Sequence, residues 1–225
     1  MRAGIDKRSC NNAPFFGQTN GRGGFLSQLD SQQLLTYDNL TVPGAYNDND
    51  MLENCNVDRH DPSLSLTDAE SRAQLATFAI QSSPLILGND VRNMTAGCLE
   101  MLRNTEILAL ATAERAPLVY QWPTAEWPNA KTLPGQPGAA GAAAVDIQHQ
   151  VWAKRMPDGS VGAVAFNRGS APAAINVTWG MLGLASGARA AVRDLWARTD
   201  NGTHRGAFRC EVGRHSVCAL RVAAV

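Results

Sequence analysis

The chain predicts an α/β half followed by an all-β half. Three observations support this. Residues up to about 110 alternate strand-like and helix-like pieces, residues 117–145 shift to Pro, Gly and Ala, and the remainder runs in short β-rich segments separated by turns. In the first half, residues 40–42 read as the end of a short strand, and the apolar run 84–88 suits a buried parallel strand. Between them, Thr67-Asp68-Ala69-Glu70 has capping-box spacing and opens a helix with Leu75, Phe78, Ala79 and Ser82 down one face. Thr95 is placed to cap a second helix carrying Leu99 and Leu102. Strand, helix, strand, helix is the grammar of a parallel sheet, but a closed eight-stranded barrel needs more units than these.

In the second half, residues 150–153, 162–166, 174–178, 190–196, 206–211 and 216–222 read as strands, with turns at 157–160 and 167–169. Regular short strands of this kind predict an antiparallel sandwich. Trp152, Trp179 and Trp196 are expected as core or inter-sheet aromatics. The expected division is therefore 1–115, a Pro/Gly/Ala-rich linker at 116–145, and a β-domain at 146–225.

Composition narrows the function classes. Lys plus Arg equals Asp plus Glu at 20 each, so the formal net charge is zero and nucleic acid is not an expected partner. No apolar run is long enough to span a membrane, so no membrane partner is expected. Five cysteines occur without a Cys-x-x-Cys pair, so neither a metal site nor a metal cofactor is expected. Cys210 and Cys218 flank a short segment with Gly213 that reads as a hairpin, and Cys10 with Cys55 is a second candidate pair. Asn39, Asn93, Asn176 and Asn201 each open an Asn-x-Thr sequon, which leans toward the secretory pathway. Residues 1–6 lack the apolar region of a signal peptide.

The most informative stretch is Pro43-Gly44-Ala45-Tyr46-Asn47-Asp48-Asn49-Asp50-Met51-Leu52. Alternate residues of an extended segment point the same way, so Asp48 and Asp50 can reach one side of a loop at a strand's C-terminal end. This run resembles the Pro-Gly-Gly-Trp-Asn-Asp-Pro-Asp-Met-Leu segment of the α-galactosidases (melibiases) of glycoside hydrolase family 27, with Ala45, Tyr46 and Asn49 as departures. Ser83-Pro84-Leu85-Ile86-Leu87-Gly88-Asn89-Asp90-Val91-Arg92 resembles that family's last barrel strand and following turn. His149-Gln150-Val151-Trp152-Ala153-Lys154, Ala165-Phe166-Asn167-Arg168-Gly169 and Val192-Arg193-Asp194-Leu195-Trp196 resemble pieces of its C-terminal β-domain, in the same order.

The resemblance implies the last βα units of a (β/α)8 TIM barrel followed by an antiparallel β-sandwich. It implies hydrolysis of terminal α-linked galactose from an α-galactoside, with retention and no cofactor. Retention needs two carboxyl groups about 5 Å apart. The family's nucleophile, an Asp in a Lys-x-Asp context, has no match in this chain. The family's acid/base lies in a Trp-Arg-x-x-x-Asp segment, whose spacing Met1-Arg2-Ala3-Gly4-Ile5-Asp6 follows with Met1 in the Trp position. The resemblance thus assigns Asp6 as acid/base, Arg2 as a substrate-binding cation, Asp50 as a sugar ligand and Met51 as an apolar wall. Asp48 is expected to pair with a cation behind the site such as Arg92, while Asn89 and Asp90 cap the following turn. The family's Asn-Gln-Asp segment after the last barrel helix is replaced here by Ala109-Leu110-Ala111-Thr112-Ala113-Glu114. The family also includes α-N-acetylgalactosaminidases, and without the nucleophile a non-catalytic carbohydrate-binding or interaction protein is the competing class. An extracellular, lysosomal or vacuolar location is expected, and a homodimer is left open.

Overall fold

A computed structural model describes residues 18–19, 22–23, 26, 29, 46, 48–57, 65–111, 119–121 and 149–225. Its elements are β1 (Gln18–Thr19), β2 (Arg22–Gly23), α1 (Asp68–Ile80), α2 (Ala96–Leu102), α3 (Thr105–Ala111), β3 (Val119–Gln121), β4 (His149–Arg155), β5 (Val161–Asn167), β6 (Ala173–Thr178), β7 (Arg189–Asp194), β8 (Thr199–Arg205), β9 (Ala207–Val212) and β10 (Ser216–Ala224). β1 and β2 form a small antiparallel pair.

The second half is built from antiparallel sheets. A six-stranded sheet runs in the order β3-β4-β5-β10-β7-β8, and β6 pairs with β9 as a second layer. Six expected strands match observed ones to within about two residues at each end. Two strands were not expected. β8 reads Thr-Asp-Asn-Gly-Thr-His-Arg and is held at the sheet edge by β7. β3 falls inside the segment expected as a linker and pairs with β4, Val119 opposite Ala153.

Alternation along the strands assigns each face of the large sheet to a different core. Val151, Ala153, Val161, Ala163, Ala165, Leu220 and Val222 face the β6–β9 layer, where Ile175, Val177 and the fully buried Trp179 complete the core. Cys210 and Cys218 join β9 to β10 through the expected disulfide. On the opposite face, Trp152, Val164 and Ala219 form a cross-strand row. This row packs in one cluster with Leu75, Phe78, Ile80 and Leu110 of the helices. The molecule therefore has three layers here: helices, six strands, two strands. Trp152 and Trp179 are core aromatics as expected, whereas Trp196 is half-buried under the Arg72 guanidinium, 4.9 Å from the ring centroid.

Local chemistry explains where the helices begin and end. The Thr67 side chain accepts the Glu70 N–H, and the Glu70 carboxylate accepts the Thr67 N–H at 2.8 Å, so the capping box is present. Thr95 caps α2 through the Cys98 N–H, and Asn104 accepts the Glu106 and Ile107 N–H groups at the start of α3. Helix α1 is buried nearly all round, not along one stripe, from Ala73 to Ile80. Beside it, Leu110 of α3 approaches the sheet closely because Gly162 has no side chain. A Cβ there would lie 2.5 Å from Leu110 Cδ2 and 3.5 Å from Ile80 Cδ1.

Two expectations need correction. The run 84–88 is no buried strand: Ile86 and Leu87 are about half exposed, and its parallel pairing among the described residues is a single bridge between Leu52 and Leu87. Apolar character alone does not bury a run; neighbouring strands on both sides must cover it. Helix α2 carries Leu99 and Leu102 as expected, at its half-buried flanks, while Cys98 and Met101 are its buried residues. Cys55 bonds to Cys98, not Cys10, because the loop after Leu52 passes the first turn of α2. Residues 40–42 and Cys10 lie outside the described residues.

Beside Gly162 in register lies Lys154, only 2% exposed, with its Nζ donating to the Ala79 carbonyl at 3.1 Å and to Ser82 Oγ at 2.7 Å. Both acceptors are neutral, and burial lowers the Lys154 pKa from 10.5 to about 7. A neutral amine has two N–H donors, and the two acceptors use both. Between pH 7 and 10.5 the unfolded chain holds a proton that the folded chain has shed, so folding stability rises with pH across that window. The expected slope is at most about 1.4 kcal/mol per pH unit in wild type relative to Lys154→Met, which removes the titration and keeps the volume. Denaturant unfolding of both chains from pH 7 to 10 measures this. Parallel pH profiles would show that the amine is not desolvated.

Candidate active-site segment

The two segments nearest the expected chemistry, 48–57 and 83–93, lie side by side. Leu52 N–H donates to the Ile86 carbonyl at 2.7 Å, and Gly88 N–H donates to the Leu52 carbonyl at 2.9 Å. Asp48 Oδ1 accepts the Asp50 N–H at 2.9 Å, and Asp50 Oδ1 accepts the Met51 N–H at 2.9 Å. These bonds turn the chain at Asp50, whose φ of 67° lies in the left-handed region that Asp tolerates better than most residues. Asp50 is half-buried, while Tyr46 and Met51 are 48% and 47% exposed. The Asp50 carboxylate and the exposed Met51 side chain thus sit side by side in this turn.

The neighbouring turn serves Met51 by having no side chain. A Cβ at Gly88 would lie 2.9 Å from the Leu52 carbonyl oxygen and 3.1 Å from Met51 Cβ. Arg92 does not support Asp48. Its Nε and Nη2 donate to Asp90 at 2.8 and 3.0 Å, a bidentate pair between exposed residues two apart. Sequence proximity makes that pairing easier to form than a longer reach across the turn. Asp90 also accepts the Arg92 N–H at 3.1 Å, so it organises the turn as expected. Asn89 instead reaches back and donates to the Asn54 carbonyl.

A polar stripe on α1 braces the segment from behind, and the sequence reading missed it. Ser71 receives Asn54 Nδ2 on its carbonyl at 2.6 Å, Gln74 accepts the Glu53 N–H at 3.0 Å, and Gln81 accepts from the Asn49 side chain. Asn49 is fully buried, and its N–H donates to Ser83 Oγ at 3.0 Å. The resembled segment carries Pro at that position, which has no N–H to give. The signal was available: Ser71, Gln74 and Gln81 recur at helical spacing along α1 and its C-cap. Arg2 and Asp6 lie outside the described residues, as do Asn39 and residues 43–45 and 47. Asn93, Asn176 and Asn201 are exposed.

Gly88→Ala is expected to destabilise the chain by about 1–3 kcal/mol, since the added methyl meets backbone on one side. Met51→Ala should not relieve it, because the 2.9 Å contact with the Leu52 carbonyl remains. A double-mutant cycle by denaturant unfolding checks this; full rescue by Met51→Ala would place the strain on the side chain alone.

Comparison with known proteins agrees with this geometry. The family described as alpha galactosidase A matches residues 27–113, and the family described as alpha galactosidase C-terminal beta sandwich domain matches residues 146–222. Alpha-galactosidase 3 of Arabidopsis thaliana is 33% identical over 174 residues, covering 77% of this chain and 34% of that protein. The crystal structure of alpha-galactosidase I from Mortierella vinacea superposes with a TM-score of 0.70 at 20% identity, covering 98% of this chain and 52% of the other. A family 27 β-L-arabinopyranosidase from Geobacillus stearothermophilus superposes with a TM-score of 0.63 at 22% identity, covering 86% and 42%. The chain spans about a third of the length of the curated relatives it matches. With both halves matched in order and the fold shared, the chain belongs to the family 27 α-galactosidases (melibiases), as the closing βα part of the barrel and the C-terminal β-sandwich.

Proposed function

We propose that this chain is the C-terminal part of an α-galactosidase that removes terminal α-linked galactose from oligosaccharides, glycolipids or glycoproteins with retention of configuration. The observation that carries this reading is the Leu52–Leu87 bridge, which sets Asp50 and Met51 at one strand end within a segment matched to the family. In this reading Asp50 accepts galactose hydroxyl protons and Met51 packs on the sugar's apolar face. Asp48 holds the turn through the Asp50 N–H, as its 2.9 Å bond supports. Asp6 is the acid/base and Arg2 holds a hydroxyl beside it. The nucleophile comes from sequence outside these 225 residues.

A catalytic acid has to stay protonated until it donates. The nucleophile's charge, not Arg2, supplies that upward push on Asp6. The domain division 1–115, 116–145 and 146–225 belongs to the same proposal, with β3 of the middle segment pairing onto β4 of the last. The disulfides Cys55–Cys98 and Cys210–Cys218 and the exposed sequons at Asn93, Asn176 and Asn201 favour an oxidising compartment, extracellular, lysosomal or vacuolar.

The test uses the protein with its upstream part and compares Asp6→Asn with wild type on two substrates. An aryl galactoside with an activated leaving group should still form the glycosyl-enzyme, while a galactoside with a poor leaving group should lose at least ~100-fold in kcat, because only it needs protonation. The 225-residue chain alone should give no turnover on either. Equal losses on both substrates would make Asp6 a fold residue, and turnover by the purified short chain would place the nucleophile within it.

A further inference from the structure

Helix α1 ends in a motif that normally selects glycine. Ser83 N–H donates to the Phe78 carbonyl and Ser82 N–H to the Ala79 carbonyl, both at 3.0 Å, which is the paired closure of a Schellman C-terminus. The residue at the turn is Ser82, with φ of 55°, in the left-handed region where a side chain is strained. Glycine would fit there without strain, so the serine hydroxyl has to compensate. Its partner is Lys154 Nζ at 2.7 Å, which also donates to Ala79. Lys154 comes from β4 in the β-sandwich, so the amine that caps this helix is supplied by the other half of the chain.

The two residues flanking Ser82 hold the proposed sugar-binding turn from its middle. Gln81 accepts from the Asn49 side chain and Ser83 Oγ accepts the Asn49 backbone N–H at 3.0 Å. Asn49 is fully buried between Asp48 and Asp50, whose own bond bends the chain at φ 67°. We propose that Lys154 is a positioning residue of the substrate pocket: by clamping Ser82 it fixes Gln81 and Ser83, and through Asn49 it fixes the direction of Asp50. This proposal rests on Asp50 lining the pocket only for its consequence in catalysis. The mechanical relay from β4 to Asn49 stands on contacts within this chain.

The test is residue-resolved amide exchange on the full 225-residue chain at constant pH. In Lys154→Met, the Asn49 amide should exchange at least ~10-fold faster than in wild type. The amides of Leu75, Phe78 and Val164 should keep their protection, since Met fills the same volume. Ser82→Ala, which keeps the backbone closure and the Ala79 contact, should give the same local signature, and it decides alone if Lys154→Met does not fold. Unchanged exchange at Asn49 in the variant that folds overturns the relay. An increase shared equally by Leu75, Phe78 and Val164 also overturns it, because that marks general destabilisation. No turnover is read in this experiment, so loss of the galactosidase reading would leave its outcome intact. Conversely, an active enzyme with unchanged Asn49 exchange would sink the relay alone.

Discussion

The contact between helix α1 and the β4–β5–β10 face is the constraint on which the rest depends. The helix lies on the sheet with Ile80 in contact over Gly162, whose missing side chain leaves room for Leu110 of the neighbouring α3. Once there, α1 separates two environments: an apolar sheet face with Trp152, Val164 and Ala219, and a polar loop running from Asp48 to Asn56. Where the loop meets the helix, Asn49, Asn54, Gln74 and Gln81 are buried, and a buried polar group without a partner costs on the order of 1–3 kcal/mol. On the sheet side Lys154 is satisfied by the helix end. On the loop side Ser71, Gln74 and Gln81 serve as acceptors for the loop. A helix used this way cannot shift without disturbing the candidate site and the sandwich together.

Ion pairs around that contact differ in weight. Glu70 accepts the Thr67 N–H with one oxygen and meets His215 Nδ1 with the other at 2.7 Å, so one buried carboxylate closes the helix start and ties it to the loop before β10. Arg193 of β7 bonds both Glu106 oxygens at 2.7 Å, and this pairing holds the Glu106 carboxyl below its usual range. Arg221 does the same for Asp158, aided first by Ser160, to about 2. Asp158 is more than half exposed, and such pairs contribute little to stability. The buried contacts at Glu70 and Lys154 therefore decide how the helices seat, while the Arg193 and Arg221 pairs steer register at the rim.

What could be read from the sequence follows the range of the forces involved. The Thr67–Glu70 capping box is a four-residue interaction, so its residues specify it completely. Strands β4, β5, β6, β7, β9 and β10 were legible because their alternation reports burial on two faces. β8 was not, because Asp200-Asn201-Gly202 are turn residues and only the neighbouring β7 makes that run a strand. The 84–88 run failed in the opposite sense, since its apolar residues describe a strand covered on both faces. The Cys55–Cys98 bond joins residues 43 apart and depends on how the loop crosses α2. At the site, Asp48 and Asp50 were read as alternate residues of an extended segment, whereas Asp48 closes a turn on the Asp50 N–H with Asp50 at φ 67°. The Arg92 pairing was not legible either, because Asp90 two residues away outcompetes Asp48. The role of Lys154 was not legible, because both of its acceptors, Ala79 and Ser82, come from the end of α1 more than 70 residues away.

The central claim is that the helical layer and the β-sandwich are one cooperative unit. Native-state amide exchange over a denaturant series tests it most directly, following Ala76 and Phe78 in α1 against Ala163 and Val164 in β5. The account predicts that all four amides converge on one opening free energy and one denaturant slope, because they open only when the shared core is lost. If the α1 amides open at a free energy well below that of β5, with a smaller slope, the helix detaches alone and the account is contradicted.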